Sequence, residues 1–219
     1  MEVFTERPAS AKSLVQRRKV YGVGVNDADY VAAYKGVDGK MLTCPYYSRW
    51  KSMLRRVYLE DKRSRPTYSG CSVHKDWHSF MTFKSWMQVQ DWEGKQLDKD
   101  LLTYGNKVYS SETCIFVTSG TNNSLLDSAS IRGEYPQGVT WCRDSNKYKA
   151  QCQHKRKSIN IGRFTCINTA EAAYCSFKSD TLVRVAYEEE ASSFPKLQEA
   201  LLRHAKRFKD RADELRRKL

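Results

Sequence analysis

Asp98, Lys99 and Asp100 place two carboxylates around a lysine, and about twenty residues later two amides follow, Asn122 and Asn123. Between them, Gly105-Asn106-Lys107 reads as a loop, Tyr109-Ser110-Ser111-Glu112-Thr113-Cys114 as a turn and Ile115-Phe116-Val117 as an apolar strand. Gln96 to Asn123 is therefore expected to fold as strand, loop, strand and helix. A carboxylate on the first strand and an amide on the helix can hold a hard divalent cation such as Mg²⁺ against a phosphodiester, provided that a base activates water. Asp98 with Asn122 or Asn123 would be the metal ligands. Lys99, Asp100, His74 and His78 are the remaining catalytic candidates. A lysine serves as base only if burial lowers its pKa strongly, and His74 and His78 read equally well as a polar surface pair. Asp98 and Asp100 read equally well as turn-capping or salt-bridging acids.

A second constellation lies further on. Lys147, Lys149, Gln151 and Gln153 alternate along one expected strand and so share a face, with Tyr148, Ala150 and Cys152 on the other. Arg143 precedes this strand, the turn Lys155-Arg156-Lys157 follows it, and Arg163 lies on the next strand. Amines, guanidinium groups and amides on one face can meet phosphates and base edges, with Arg reading guanine and Gln reading adenine. A solvated polar face over a small core is the alternative.

The elements that must hold these residues are legible in outline. Residues 1–19 read as a basic flexible leader ending in Gln16-Arg17-Arg18-Lys19. Val20 to Val25 alternates like a strand, and a second short strand is expected near Tyr30 to Tyr34. From Pro45, the residues Trp50, Met53, Leu54, Val57 and Tyr58 recur at helical spacing, as do Trp77, Phe80, Phe83, Trp86 and Met87. Such aromatics are core more often than base-stacking platforms. Strands are expected at Val139–Trp141, Lys147–His154 and Ser158–Phe164, then a helix with Thr169 as N-cap. After Pro195, Leu201, Ala205, Phe208, Ala212, Leu215 and Leu219 form a short heptad seam. That helix could pair with a second copy as a homodimer through residues 195–219, pack on the body of its own chain, or touch phosphate.

Composition narrows the function classes. The chain has 38 Lys and Arg against 25 Asp and Glu, net +13, over 219 residues. A polyanion is the default partner for such a charge. With 40% hydrophobic residues the charge sits on folded cores, not on a disordered arm. From Ile131 to Tyr187 there are ten Lys and Arg against four Asp and Glu. No run approaches the roughly 18 apolar residues of a membrane span, and the start lacks the apolar stretch of a signal peptide. Seven cysteines without a C-x-x-C pair fit free thiols in a reducing compartment. Structural zinc is poorly supported, Cys71-x-x-His74 being the nearest approach to ligand spacing.

Gly-Val-Thr-Trp at 138–141, Lys-Tyr-Lys-Ala-Gln at 147–151, Ile-Asn-Ile-Gly-Arg-Phe at 159–164 and Thr-Ala-Glu-Ala-Ala-Tyr at 169–174 resemble, in order and spacing, the APETALA-type DNA-binding domain of plant ethylene-response factors and of many phage and homing-endonuclease proteins. The resemblance implies that the sheet docks in the major groove of double-stranded DNA. Arg143, Lys147, Lys149, Gln151, Lys155, Arg156, Lys157 and Arg163 would make the contacts. Trp141-Cys142 departs from the arginines of plant members. Upstream, Leu-Asp-Lys-Asp at 97–100, Tyr-Ser-Ser-Glu-Thr-Cys at 109–114 and the helical Asn look like the phage branch of HNH homing-type endonucleases, although no histidine adjoins Asp98. The two resemblances imply an α+β chain. A ββα-metal (HNH-like) endonuclease domain would span 20–128, a three-stranded antiparallel sheet packed on one helix 131–187, and a basic C-terminal helix 195–219. The implied activity is Mg²⁺-dependent phosphodiester hydrolysis, in the cytoplasm of a bacterial host. A non-catalytic DNA-binding protein that keeps the ββα unit as scaffold is the other reading.

Overall fold

The computed structural model describes residues 2–59, 68–125, 133–155 and 157–219 of a mixed α+β chain. In chain order its elements are α1 (Ala11–Val15), β1 (Ala33–Lys35), β2 (Met41–Thr43), α2 (Pro45–Tyr58), β3 (Ser72–Val73), α3 (Phe80–Gln88), β4 (Gln96–Asp98), β5 (Val108–Tyr109), β6 (Ile115–Val117), α4 (Ser119–Leu125), β7 (Val139–Cys142), β8 (Lys147–His154), β9 (Lys157–Phe164), α5 (Ile167–Ala186), α6 (Glu189–Ser192) and α7 (Pro195–Arg216). Two compact units form. One takes Met1–Glu93 and Asn106–Phe116, the other Gly94–Gly105 and Val117–Leu219. The chain therefore changes unit within the Gln96 to Asn123 segment. No helix among the described residues is long and apolar enough to cross a membrane.

The first unit is built on aromatic packing. Trp50, Met53 and Leu54 of α2 and Phe80, Phe83 and Met87 of α3 are almost fully buried, as the helical spacing requires. The Trp50 indole N–H donates to the Trp77 carbonyl at 2.7 Å, so its one polar group is satisfied inside the core. These aromatics are core. The basic leader is not a solvated tail: the Arg17 guanidinium donates to the carbonyls of Asn26, Ala28 and Tyr30, and Pro8 bridges to Tyr30. Three carbonyls claim one guanidinium, which draws the segment down. Val20 to Val25 also differs from the alternation. Tyr21 and Gly22 take φ of 50° and 78°, and Val20 and Gly24 exchange backbone hydrogen bonds across a tight turn. Turn chemistry at Gly22 outweighs the apolar period. Tyr30 enters the core, and the strand begins only at Ala33.

In the second unit, β7, β8 and β9 form an antiparallel sheet in sequential order. Its inner face packs on α5, with Val139, Ala150, Cys152, Ala170, Tyr174, Cys175 and Ala212 buried together. The small residues of α5 allow close approach to the sheet. Gly138 makes room as well, because a Cβ there would lie 2.1 Å from the Tyr174 ring, and its φ is +73°. The helix starts at Ile167 with Cys166 as N-cap, three residues earlier than Thr169 predicts. The backbone N–H groups of Thr169 and Asn168 draw the Cys166 thiol below its usual pKa. α7 lies along α5, and its seam residues Leu201, Ala205, Ala212 and Leu215 are buried there. Arg211 pairs with Glu171 of α5 at 2.8 Å.

Candidate nucleic-acid interface

The face of the sheet turned away from α5 is assembled by register. Tyr148, Ala150 and Cys152 point into the core, so Lys147, Lys149, Gln151 and Gln153 lie on the opposite side of β8. Directly opposed residues of an antiparallel pair share a face. On β7 these are Cys142 opposite Lys147 and Thr140 opposite Lys149. On β9 they are Arg163 opposite Lys149, Asn160 opposite Gln151 and Ser158 opposite Gln153. Arg143 is exposed in the turn after β7, and Lys157 opens β9. Arg156 lies outside the described residues.

Charge on this face is unspent. Among the described residues no carboxylate forms an ion pair with Arg143, Lys147, Lys149, Lys157 or Arg163. Lys155 differs: it sits in the β8–β9 turn with φ of 46° and pairs with Glu188 at 2.8 Å. Setting Lys149 directly across from Arg163 costs stability through like-charge repulsion. A bound anion would remove that cost.

A β-bulge puts Arg163 there. The β8–β9 register shifts between Ala150 and Gln151, so Asn160 opposes Gln151 while Gly162 opposes Ala150, and Ile161 is the extra residue. Ile161 packs into the core, and at Gly162 a Cβ would crowd the Phe164 ring at 3.0 Å. Two successive inward positions return Arg163 to the outer face. Strict alternation from Ser158 would have turned Arg163 inward. Asn160 and Ser158 were absent from the sequence candidates, although plain alternation of β9 with β8 carries that signal.

The segment around Asp98 is knit into its own unit. Asp98 Oδ1 accepts from the backbone N–H of Asp100 at 3.0 Å and of Leu101 at 2.7 Å. This is the turn-capping arrangement. Burial and the neighbouring Asp100 push the Asp98 carboxyl up to about 6. Lys99, nearly buried, gives its ammonium to Asp100 at 2.9 Å. Asn122 reaches the β4 face that carries Asp98, yet its amide nitrogen goes to Gln96 Oε1 at 2.6 Å. Asp98 Oδ2 and Asn122 Oδ1 are the oxygens left for a cation; Asn123 is exposed. Among the described residues no group of three or more His, Cys, Asp and Glu forms a metal cluster.

His74 and His78 belong to the first unit, whereas Asp98 to Asp100, Asn122 and Asn123 belong to the second. His74 Nδ1 accepts from the Asp76 N–H at 3.4 Å, capping a 3₁₀ turn. Tyr58 Oη accepts from the Val73 N–H and lies 3.2 Å from His78 Nε2, to which its hydroxyl can donate.

The anchorage of the Asp98 segment went unread in the sequence. His204 Nε2 meets the Leu101 carbonyl at 3.0 Å, Arg203 donates to the Leu102 carbonyl, and the Arg207 guanidinium stacks on Tyr104. Glu190 accepts from the Thr118 N–H and from the hydroxyls of Thr118 and Thr121 at the start of α4, at 2.7 to 2.9 Å. A carboxylate suits a helix start. No family model matches the chain, and no curated protein or solved structure matches it.

Proposed function

We propose that this protein binds double-stranded DNA through the outer face of β7, β8 and β9, and that the stretches Gly94–Gly105 and Val117–Leu125 serve as a brace within the same unit. The observation that carries the reading is the row of unpaired cations on a helix-free sheet face, with Lys149 set against Arg163. Three strands span about 10 Å between their outer axes. The major groove is about 12 Å wide. Lys147, Lys149 and Lys157 supply phosphate contacts, while Arg163 and Arg143 offer bidentate donors for guanine O6 and N7. The net charge of +13 supplies the long-range attraction. The brace role is supported by hydrogen bonds already made: Asp98 accepts from two backbone N–H groups, Lys99 donates to Asp100 and the Asn122 amide nitrogen donates to Gln96.

Fluorescence anisotropy with a labelled duplex over a salt series tests the binding. Replacing Lys147, Lys149 or Lys157 by Ala should weaken binding and flatten the dependence of log affinity on log salt by about 0.9 per lost phosphate contact. An unchanged affinity in the triple variant would sink the proposal. A nicking assay with Mg²⁺ tests the brace. Nicking by the wild type that is lost in both Asp98→Ala and Asn123→Ala would make the segment a hydrolytic centre instead.

A further inference from the structure

The outer sheet face is divided into rungs of different chemistry. Lys149 and Arg163 form a cationic rung, Gln151 and Asn160 an amide rung, and Gln153 and Ser158 a polar rung next to the turn. Gln96, Asn122, Asn106 and Gln198 all spend their side-chain amides on protein acceptors. Among the described residues the side chains of Gln151 and Asn160 make no hydrogen bond, and Asn160 is exposed. Directly opposed Cβ atoms lie about 5 Å apart, so both amides can reach one base pair or two adjacent ones.

The bulge fixes the spacing between rungs. It absorbs Ile161, so that Asn160 opposes Gln151 and Arg163 opposes Lys149 on the same face. Along β8, Lys149 and Gln151 are two residues apart, about 6.6 Å of strand, which is close to two base-pair steps of about 3.4 Å. An amide that donates from its NH₂ and accepts at its oxygen matches adenine N7 and N6 and no other base edge in the major groove.

Resting on the DNA-binding reading, we propose that Gln151 and Asn160 are specificity-determining residues that select adenine about two base pairs from the guanine met by Arg163. Selection from a randomised duplex library with the full chain tests this. The wild type should enrich adenine at one position in fixed register with a guanine. Gln151→Ala or Asn160→Ala should lower the adenine preference about tenfold. Their salt dependence should equal that of the wild type, because no phosphate contact is lost. Circular dichroism of each variant confirms that the sheet is folded. An enriched sequence that keeps its adenine in both variants overturns the assignment while leaving DNA binding intact. A wild type that enriches no sequence and shows no salt-dependent binding removes the DNA reading along with it.

Discussion

The four cysteines of the sheet module fall into two chemical pairs. Ser145 and, more weakly, Arg163 hold the Cys142 thiol below its usual pKa, and helix-terminal N–H groups do the same for Cys166. Burial pushes Cys152 up, and burial with Glu171 pushes Cys175 up to about 12. Iodoacetamide at neutral pH should therefore label Cys142 and Cys166 well before Cys152 and Cys175, as peptide mass spectrometry would show. Cys142 shares the face of Lys147, so duplex DNA should slow its labelling and leave that of Cys166 unchanged. Equal protection of both sites would place the DNA elsewhere. Asp98 gives a second residue-scale test. Its carboxyl titrates near 6 in the fold against 3.8 for the free group, so the folded state holds its proton more tightly. This group then opposes folding above pH 6, and the cost is relieved as pH falls toward 4. Asp98→Asn keeps the acceptor for both N–H groups and removes the charge. In urea denaturation the variant should be the more stable at pH 8, and the difference should shrink at pH 5. A variant weaker at pH 8 would mean that the ionised carboxylate is what the turn requires.

At the scale of elements, α7 fastens the Asp98 segment through His204, Arg203 and Arg207. His204→Ala leaves a carbonyl of the segment without its donor and should cost about 1–3 kcal/mol, read from thermal denaturation. Burial holds the imidazole below its ordinary pKa, so the native state keeps it neutral. Its contribution is present above about pH 6.5 and is lost as pH falls, because the unfolded chain takes up the proton first. Gly138→Ala should be among the most damaging single changes, since the added methyl meets the Tyr174 ring in a left-handed backbone. Loss of near-UV dichroism at a temperature where the wild type is folded would show it. The three strands and the helix behind them were legible, because alternation in Lys147–His154 is strict and Tyr148, Ala150 and Cys152 all face inward. The bulge was not, because an apolar Ile161 beside Gly162 looks like ordinary strand until its partner register is known.

For the whole molecule, the heptad seam of α7 is spent on α5 of the same chain. Truncation after Phe194 removes the buried Leu197, Ala200, Leu201, Ala205, Ala212 and Leu215. The sheet module should then melt at markedly lower urea. A seam needed only between copies would leave the module's stability intact and change the mass alone.

Sequence by itself determined the basic sheet, its two-faced strands, the aromatic helices and the large positive charge, because each is written in local period or composition. Tertiary structure decided where the polar groups were spent. Asp98, Lys99 and Asn122 look like ligands and base in one dimension; in the fold Asp98 Oδ1 takes two backbone N–H groups, Lys99 donates to Asp100 and the Asn122 amide nitrogen donates to Gln96. Arg17 in a basic run became an internal anchor, since three carbonyls from another stretch of chain needed a donor. Hydrogen-bond partners far apart in sequence leave no periodic trace, and they separate the cations that are satisfied from those that face outward.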